Sequence, residues 1–171
     1  MPGAEDPRDF PFHLLDKAGQ LHERGFHEAA IVTAQSACEL ACERAIERSL
    51  DRRGASYLHH CLHDLLPSFN LASHRTRDVY TTLAGDHIER ESYWCDYTRL
   101  AKLRHAIVHG GASVGAETTA RCLIVARVVI EHLERGGAAV LADRPVAIPD
   151  GRAPVTTTPG SSAVSSAPAH S

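Results

Sequence analysis

The sequence predicts an all-α protein, a bundle of five or six helices followed by a disordered tail. Up to about residue 135, apolar residues recur every three or four positions, which is the period of amphipathic helices. The segments between these runs are short and contain glycine or proline, which end helices. The only strand-like run, residues 138–141, is too short to build a sheet.

The same observations divide the 171 residues into three segments. We expect a disordered N-terminus over residues 1–9 and one helical bundle over residues 10–141. Residues 142–171 are rich in Pro, Ser, Thr and Ala. Such a composition leaves almost nothing to bury, so it predicts a disordered tail. The six predicted helices span residues 11–24, 26–50, 55–66, 72–84, 89–109 and 115–135.

The first three helices follow from their apolar faces and from the residues that end them. In the first, apolar residues from Phe12 to Leu21 recur at helical spacing and Gly25 follows. The second is alanine-rich, and its small residues allow a neighbouring helix to approach closely. The third is leucine-rich and stops at Pro67, because proline cannot continue a helix. The small residues of the second helix are Ala30, Ala34, Ala37, Cys38, Ala41 and Ala45.

The last three helices follow in the same way. The fourth is indicated by Val79, Tyr80 and Leu83, ahead of a glycine. The fifth and sixth end at the glycine pairs 110–111 and 136–137, which favour helix termination. Because the sixth helix is apolar on most sides, we expect it at the centre of the bundle or in a subunit interface.

Composition points to a reduced, cytoplasmic protein. The five cysteines are an odd set without a CxxC pair, as expected where disulfides do not form. Residues 1–8 are acidic and contain no apolar signal-peptide core. The most apolar run, residues 122–130, is interrupted by Arg127 and is too short to cross a bilayer. We therefore expect no association with a membrane.

The charge balance restricts how the protein binds nucleic acid. The net charge is −3 and the isoelectric point is about 6.4, so no large basic face is expected. An RNA site would have to be local and built from a few arginine, lysine and protonated histidine residues. A DNA-binding regulator fits poorly, because no predicted helix carries a basic face.

Arginine and histidine recur with four residues between them. The chain has 16 Arg and 12 His, so this spacing should arise about once by chance. It occurs three times, as Arg8–His13, Arg104–His109 and Arg127–His132. The first pair straddles the predicted disordered start, and the third lies inside a helix. Only the pair at 104–109 lies at a helix end, so context favours it.

Helical geometry places the residues of that pair on different faces. At about 100° per residue, Arg104 falls at the edge of the predicted core face, and His105 and His109 fall on the open side. That core face comprises Leu100, Leu103 and Ile107. An apolar strip beside the histidines comprises Trp94, Ala101 and Val108. We interpret the strip as a candidate contact surface.

The segment 103–110, Leu-Arg-His-Ala-Ile-Val-His-Gly, resembles the signature of the HEPN superfamily of small α-helical bundles. That signature is Arg-x4–6-His with a polar residue after the arginine, at a helix end before a final long helix. The segment 29–41 also looks like the family's long early helix. The resemblance covers roughly residues 10–136 and implies an HEPN-like bundle.

The resemblance also implies a function. Many members are metal-independent endoribonucleases that act as homodimers, and some are toxins held by an antitoxin-type protein. RNA would be the substrate, and no cofactor or metal is implied. By resemblance, His109 is the catalytic acid or base, Arg104 clamps the phosphate, and His105 is a polar auxiliary. Some toxin members carry a modifiable tyrosine two places after the histidine, where this chain has Gly111.

Two other interpretations of the sequence remain open. The first is a non-catalytic α-helical dimerisation module that binds a protein partner or a nucleotide. The second concerns His59 and His63, which lie four residues apart, a spacing with which helices hold zinc. No further ligand is identifiable, so we favour an exposed helix face there.

Overall fold

The computed structural model describes residues 9–139, and within this range the chain is all-helical, without strands. Six α-helices and two 3₁₀ turns make up the described fold. The helices are α1 (Phe10–Glu23), α2 (His27–Arg52), α3 (His59–Leu65), α4 (His74–Ala84), α5 (Trp94–Gly110) and α6 (Ala116–Ala139). The 3₁₀ turns, Ser56–Leu58 and Ile88–Arg90, precede α3 and α5. The predicted all-α bundle is confirmed at this level.

Three predicted helix limits are wrong. The third helix begins at His59 rather than at residue 55, because Ser56–Leu58 forms a separate 3₁₀ turn. The fifth helix begins at Trp94 rather than at residue 89, because Ile88–Arg90 forms a separate 3₁₀ turn and Glu91 is extended. The sixth helix continues through the glycine pair 136–137 instead of stopping there. A glycine stops a helix when it adopts a left-handed conformation, and the positive-φ glycines of residues 9–139 are Gly25, Gly54, Gly85 and Gly111.

Helix α2 occupies the centre of the bundle, where it packs against α1, α4, α5 and α6. The predicted small-residue face of α2 is buried along its whole length. The Cys38 thiol reaches the Ala126 carbonyl of α6 at 3.8 Å, which shows how closely the two helix backbones approach. Small side chains at the contact allow such an approach.

Helix α6 covers α2 rather than taking the central place itself. It buries Val129, Ile130 and Leu133 against the bundle and also packs on α1 and α5. Ile124 on its outer side remains 66% exposed. None of the helices described is long and apolar enough to cross a membrane. The predicted tail, residues 142–171, and residues 1–8 of the predicted disordered start lie outside the described residues.

Candidate functional site

The motif Arg104–His109 lies in the last two turns of α5, and the end of this helix is fixed by a cap in which Gly111 is left-handed (αL). Gly111 adopts φ 63° and donates its N–H to the Ile107 carbonyl at 3.1 Å. Ala112 donates to the Ala106 carbonyl at 3.2 Å. This pair of bonds satisfies carbonyls that the helix end leaves unpaired. The backbone under His109 is therefore held in one geometry.

The segment that follows the cap is tied to the start of α2. The Glu28 carboxylate accepts hydrogen bonds from the Ser113 hydroxyl at 2.8 Å and from the Val114 N–H at 3.0 Å. These two bonds hold the pKa of Glu28 below its ordinary value, and the bond from the Val114 N–H has the larger effect. The end of α5, the connection to α6 and the N-terminus of α2 thus form one end of the bundle.

The two motif histidines form a close exposed pair. His105 and His109 are both exposed, as the helical period predicts. Their ring centroids lie 4.5 Å apart with an interplanar angle of 46°. Since they are separated by four residues, the helix places one imidazole above the other on the same face. The pair presents two titratable rings to solvent at one place.

Arg104 lies in a different position from the predicted one. The residues that α5 buries are Tyr97, Leu100 and Ala101, so the core face is centred closer to Arg104 than predicted. Leu103 and Ile107 are only partly buried. Arg104 therefore lies on the core-facing side of α5, near the end of the helix, and not at the edge of that side. Its side chain is half-buried.

The predicted apolar strip beside the histidines is not continuous. Ala101 is 6% exposed and belongs to the core. Trp94 is half-buried and packs on Tyr97, and the Arg77 guanidinium lies 5.4 Å from its ring centroid. Only Val108 presents a large free apolar surface, with 48% of it exposed. The contact surface next to the histidines is thus one residue wide.

The distance between the arginine and His109 follows from their spacing. Five residues of α-helix correspond to about 140° of rotation and about 7.5 Å of rise. Arg104 and His109 consequently leave the helix on different sides, whereas His105 and His109 leave it together. For Arg104 and His109 to contact the same phosphate, the phosphate must lie beyond the C-terminal end of α5, or a second chain must supply one of the two side chains.

The three motif side chains are available for a ligand. Among residues 9–139, no side-chain hydrogen bond and no ion pair engages Arg104, His105 or His109. Their neighbours on α5 differ in this respect, because Arg99 is bonded to Asp96 at 2.6 Å. An unpaired arginine beside two open imidazoles has its donors free for an anionic oxygen.

The other two Arg-x4-His pairs are engaged elsewhere or lie outside the described range. Arg127 faces Asp16 at 3.5 Å, and His132 bonds Asp86 at 2.7 Å. Arg8 lies outside the described residues, and the ring of His13 stacks on Phe10. The geometry therefore supports the pair at 104–109 over the pair at 127–132.

Comparison with protein families, curated proteins and solved structures finds no match for this chain.

The candidate zinc residues on α3 are engaged with carboxylates. His59 faces Asp51 at 3.2 Å, and His63 faces Glu43 at 3.1 Å. Within residues 9–139, no group of three or more His, Cys, Asp or Glu side chains is arranged to hold a metal ion. His59 and His63 therefore face two different carboxylates, with which they form ion pairs when protonated.

A half-buried polar network that the sequence did not reveal joins α4 to α6. The Asp86 carboxylate accepts a hydrogen bond from the Tyr80 hydroxyl at 2.5 Å, and its other partner is His132 Nε2 at 2.7 Å. The Tyr93 ring packs edge-on against His132. Val128, Arg135 and Gly136 complete one wall of an open cavity of about 420 Å³ there. The only signal in the sequence was the presence of His132 in an Arg-x4-His pair.

The network shifts the titration of its members. The hydrogen bond from His132 to Asp86 raises the pKa of the imidazole above its ordinary value, against the effect of burial. Burial alone raises the pKa of Asp86, but the bonds from His132 and Tyr80 outweigh it and leave the pKa lowered. Burial and the bond to Asp86 both raise the pKa of Tyr80. These directions favour a charged Asp86–His132 pair beneath a neutral tyrosine.

Proposed function

We propose that the protein is an HEPN-like, metal-independent endoribonuclease whose active site contains Arg104, His105 and His109. The observation that supports it best is the pair of exposed imidazoles, 4.5 Å apart between ring centroids, beside an arginine without an ionic partner among the described residues. The fixed helix end beneath them provides the positional precision that proton transfer needs.

The chemistry follows from the two protonation states of imidazole. A neutral ring takes the proton from a ribose 2′-hydroxyl, and the resulting oxyanion attacks the adjacent phosphorus. A protonated ring gives its proton to the departing 5′-oxygen. The bond from phosphorus to the 5′-oxygen breaks as the bond to the 2′-oxygen forms. The products are a 2′,3′-cyclic phosphate and a 5′-hydroxyl.

The role of Arg104 is to stabilise the charge that develops on the phosphoryl oxygens. A guanidinium suits this role because it donates two parallel hydrogen bonds to a phosphate. His109 acts as acid or base, and His105 is its polar auxiliary. In a symmetric homodimer each chain contributes one His109, so one imidazole accepts the proton and the other donates it.

A homodimer resolves the angular separation of Arg104 and His109. Because the two side chains leave α5 about 140° apart, a second copy facing the first brings its own arginine towards the histidines. A twofold axis beside Val108 places equivalent surfaces opposite one another. The small free apolar area there predicts a dimer that depends on concentration unless other surfaces contribute.

Regulation by modification of a tyrosine two places after His109 does not suit this chain. Gly111 has φ 63°, a conformation that side chains with a Cβ rarely adopt. A tyrosine there would strain the cap that ends α5. An antitoxin-type protein partner, if the protein is a toxin, would therefore act by covering the histidines rather than through that position.

RNA cleavage by purified variants tests the proposal. Wild type, Arg104→Ala, His105→Ala and His109→Ala are incubated with a mixed RNA in EDTA, with His60→Ala as the control. His60 is an exposed histidine on α3, so its loss should leave the rate unchanged. We expect cyclic-phosphate ends from wild type and a rate at least about 100-fold lower for His109→Ala, since acid–base catalysis contributes this much or more.

The outcomes separate the nuclease from the dimerisation module. Equal rates in wild type and both the Arg104 and His109 variants would identify a contaminating nuclease and refute the proposal. A stable dimer that cleaves no RNA would favour the non-catalytic module that binds a protein or a nucleotide.

A further inference from the structure

A second histidine pair lies at the same end of the bundle, where α1 turns into α2. His22 belongs to the last turn of α1, and His27 is the first residue of α2. Their Nδ1 atoms are 3.2 Å apart, and their rings are tilted by 50° with centroids 5.2 Å apart. Both side chains are half-buried. Two ring nitrogens thus lie within hydrogen-bond distance of each other at a place that solvent reaches.

The backbone holds this pair in place. Gly25 adopts φ 82° and donates its N–H to the His22 carbonyl at 2.9 Å. Phe26 donates to the Leu21 carbonyl at 2.9 Å. The two bonds close the corner tightly, and α1 and α2 pack against each other along their length. The separation of the imidazoles is therefore set by the fold and not by free rotation of a loop.

The separation of the two nitrogens matches the requirement of zinc. Tetrahedral zinc binds histidine nitrogens at 2.0–2.1 Å, which places two such nitrogens about 3.3 Å apart. The observed 3.2 Å between the Nδ1 atoms is close to this distance. By contrast, the histidines on α3 each face a carboxylate, so their nitrogens do not converge on one position.

We propose that His22 and His27 form a zinc site in which the two Nδ1 atoms coordinate one Zn²⁺ and water fills the remaining positions. In the neutral pair one ring carries its proton on Nδ1, and when zinc binds this proton moves to the Nε2 of the same ring, so that both Nδ1 atoms are free to coordinate. With only two protein ligands the site has a lower affinity for zinc than a structural site with four. The corner between α1 and α2 is already formed, which offsets part of this loss of affinity. The proposal is independent of the nuclease activity, which is assayed in EDTA.

Zinc bound here joins α1 to α2 and stabilises the folded state by linkage. It does so without touching the core, since both side chains reach solvent. Glu28 follows His27 directly, and its charge is already engaged by Ser113 and Val114.

The test is calorimetric titration of the full chain with ZnCl₂ at pH 7.5, together with thermal unfolding in excess zinc. We expect one Zn²⁺ per chain, a higher Tm with zinc, and at least about tenfold weaker binding in His22→Gln or His27→Gln. The matched control is the double variant His105→Gln/His109→Gln, which alters the other open histidine pair and should bind zinc as wild type does.

A measurement on the wild type avoids any dependence on how the variants fold. In ¹⁵N spectra of the imidazole rings, zinc should move the Nδ1 signals of His22 and His27 and leave those of His59 and His63 unchanged. No saturable binding by wild type would show that the pair is only a hydrogen-bonded couple and would overturn the proposal. Binding that survives in the His22 and His27 variants but disappears in the control would overturn it as well.

Discussion

Replacing Asp86 by asparagine should destabilise the protein more at pH 5.5 than at pH 8.5. Asp86 accepts hydrogen bonds from Tyr80 and His132, and the side chains of Asp86 and His132 are only 16% and 21% exposed. Both bonds end on the same carboxylate oxygen, Oδ2. An amide oxygen in its place still accepts both bonds but carries no charge, so the variant loses the charge assistance of each bond.

The pH dependence follows from the two shifted pKa values. The pKa of His132 is raised in the folded state. The stabilisation of the folded state by protonated His132 is therefore fully present below the pKa of the unfolded chain, about 6.5, and disappears as the pH rises through the pKa of the folded state. The pKa of Asp86 is lowered, so its stabilisation is present above its unfolded value and disappears only as the pH falls through the folded value. Both contributions are present together at pH 5.5.

The magnitude follows from the charge assistance that is lost. Hydrogen bonds to a charged group contribute about 1.5–3 kcal/mol each, and the amide replaces part of this. We expect Asp86→Asn to lower the free energy of unfolding by about 2–3 kcal/mol at pH 5.5 and by about 1 kcal/mol less at pH 8.5. Urea unfolding followed by circular dichroism measures both values.

Asp78→Asn provides the matched control. Asp78 also pairs with a histidine, His74, at 3.0 Å, but the two side chains are 56% and 80% exposed. An exposed pair of this kind contributes at most about 0.5 kcal/mol. Equal losses for the two variants, or a loss for Asp86→Asn that does not change with pH, would refute the assignment of the half-buried pair.

Two further predictions concern the end of α5. Gly111→Ala should destabilise the protein by about 1 kcal/mol because its φ is 63°. Gly110→Ala should stabilise it by about 0.5 kcal/mol, since the added methyl meets no atom within 4 Å on a helical backbone. Urea unfolding that gives the same sign for both would contradict the left-handed cap at Gly111. Glu28→Ala should remove the acceptor for the Val114 N–H and accelerate hydrogen exchange at that amide. The Thr119 amide, which is bonded to the Gly115 carbonyl, serves as the internal reference. Unchanged exchange at Val114 would show that Glu28 does not hold this segment.

The fold was predictable because its signals are local. Apolar spacing and glycine or proline stops give the all-α class and the limits of α1 and α4 to within about two residues. The predicted starts of α3 and α5 and the predicted end of α6 were wrong, since they depend on dihedral angles that the sequence does not specify. Gly136 remains helical, and a Cβ there would lie 3.6 Å from both Asp86 and Tyr80, so the contact partners of that glycine lie on other elements.

The candidate site was predictable only in part, for the same reason. The exposure of His105 and His109 follows from the helical period. The position of Arg104 does not, because the core face of α5 is set by Tyr97, whose hydroxyl bonds Gln35 and Asn70 on other segments. The Asp86–His132 bond joins residues 46 positions apart, and no local pattern connects them.

The most direct test of the central claim is the initial rate of cyclic-phosphate formation from RNA in EDTA, measured side by side for wild type and His109→Ala at equal concentration of folded protein. Catalysis by the motif predicts 2′,3′-cyclic ends from wild type and a rate at least about 100-fold lower for the variant. Equal rates, or the absence of cyclic ends from a folded wild-type dimer, would contradict it.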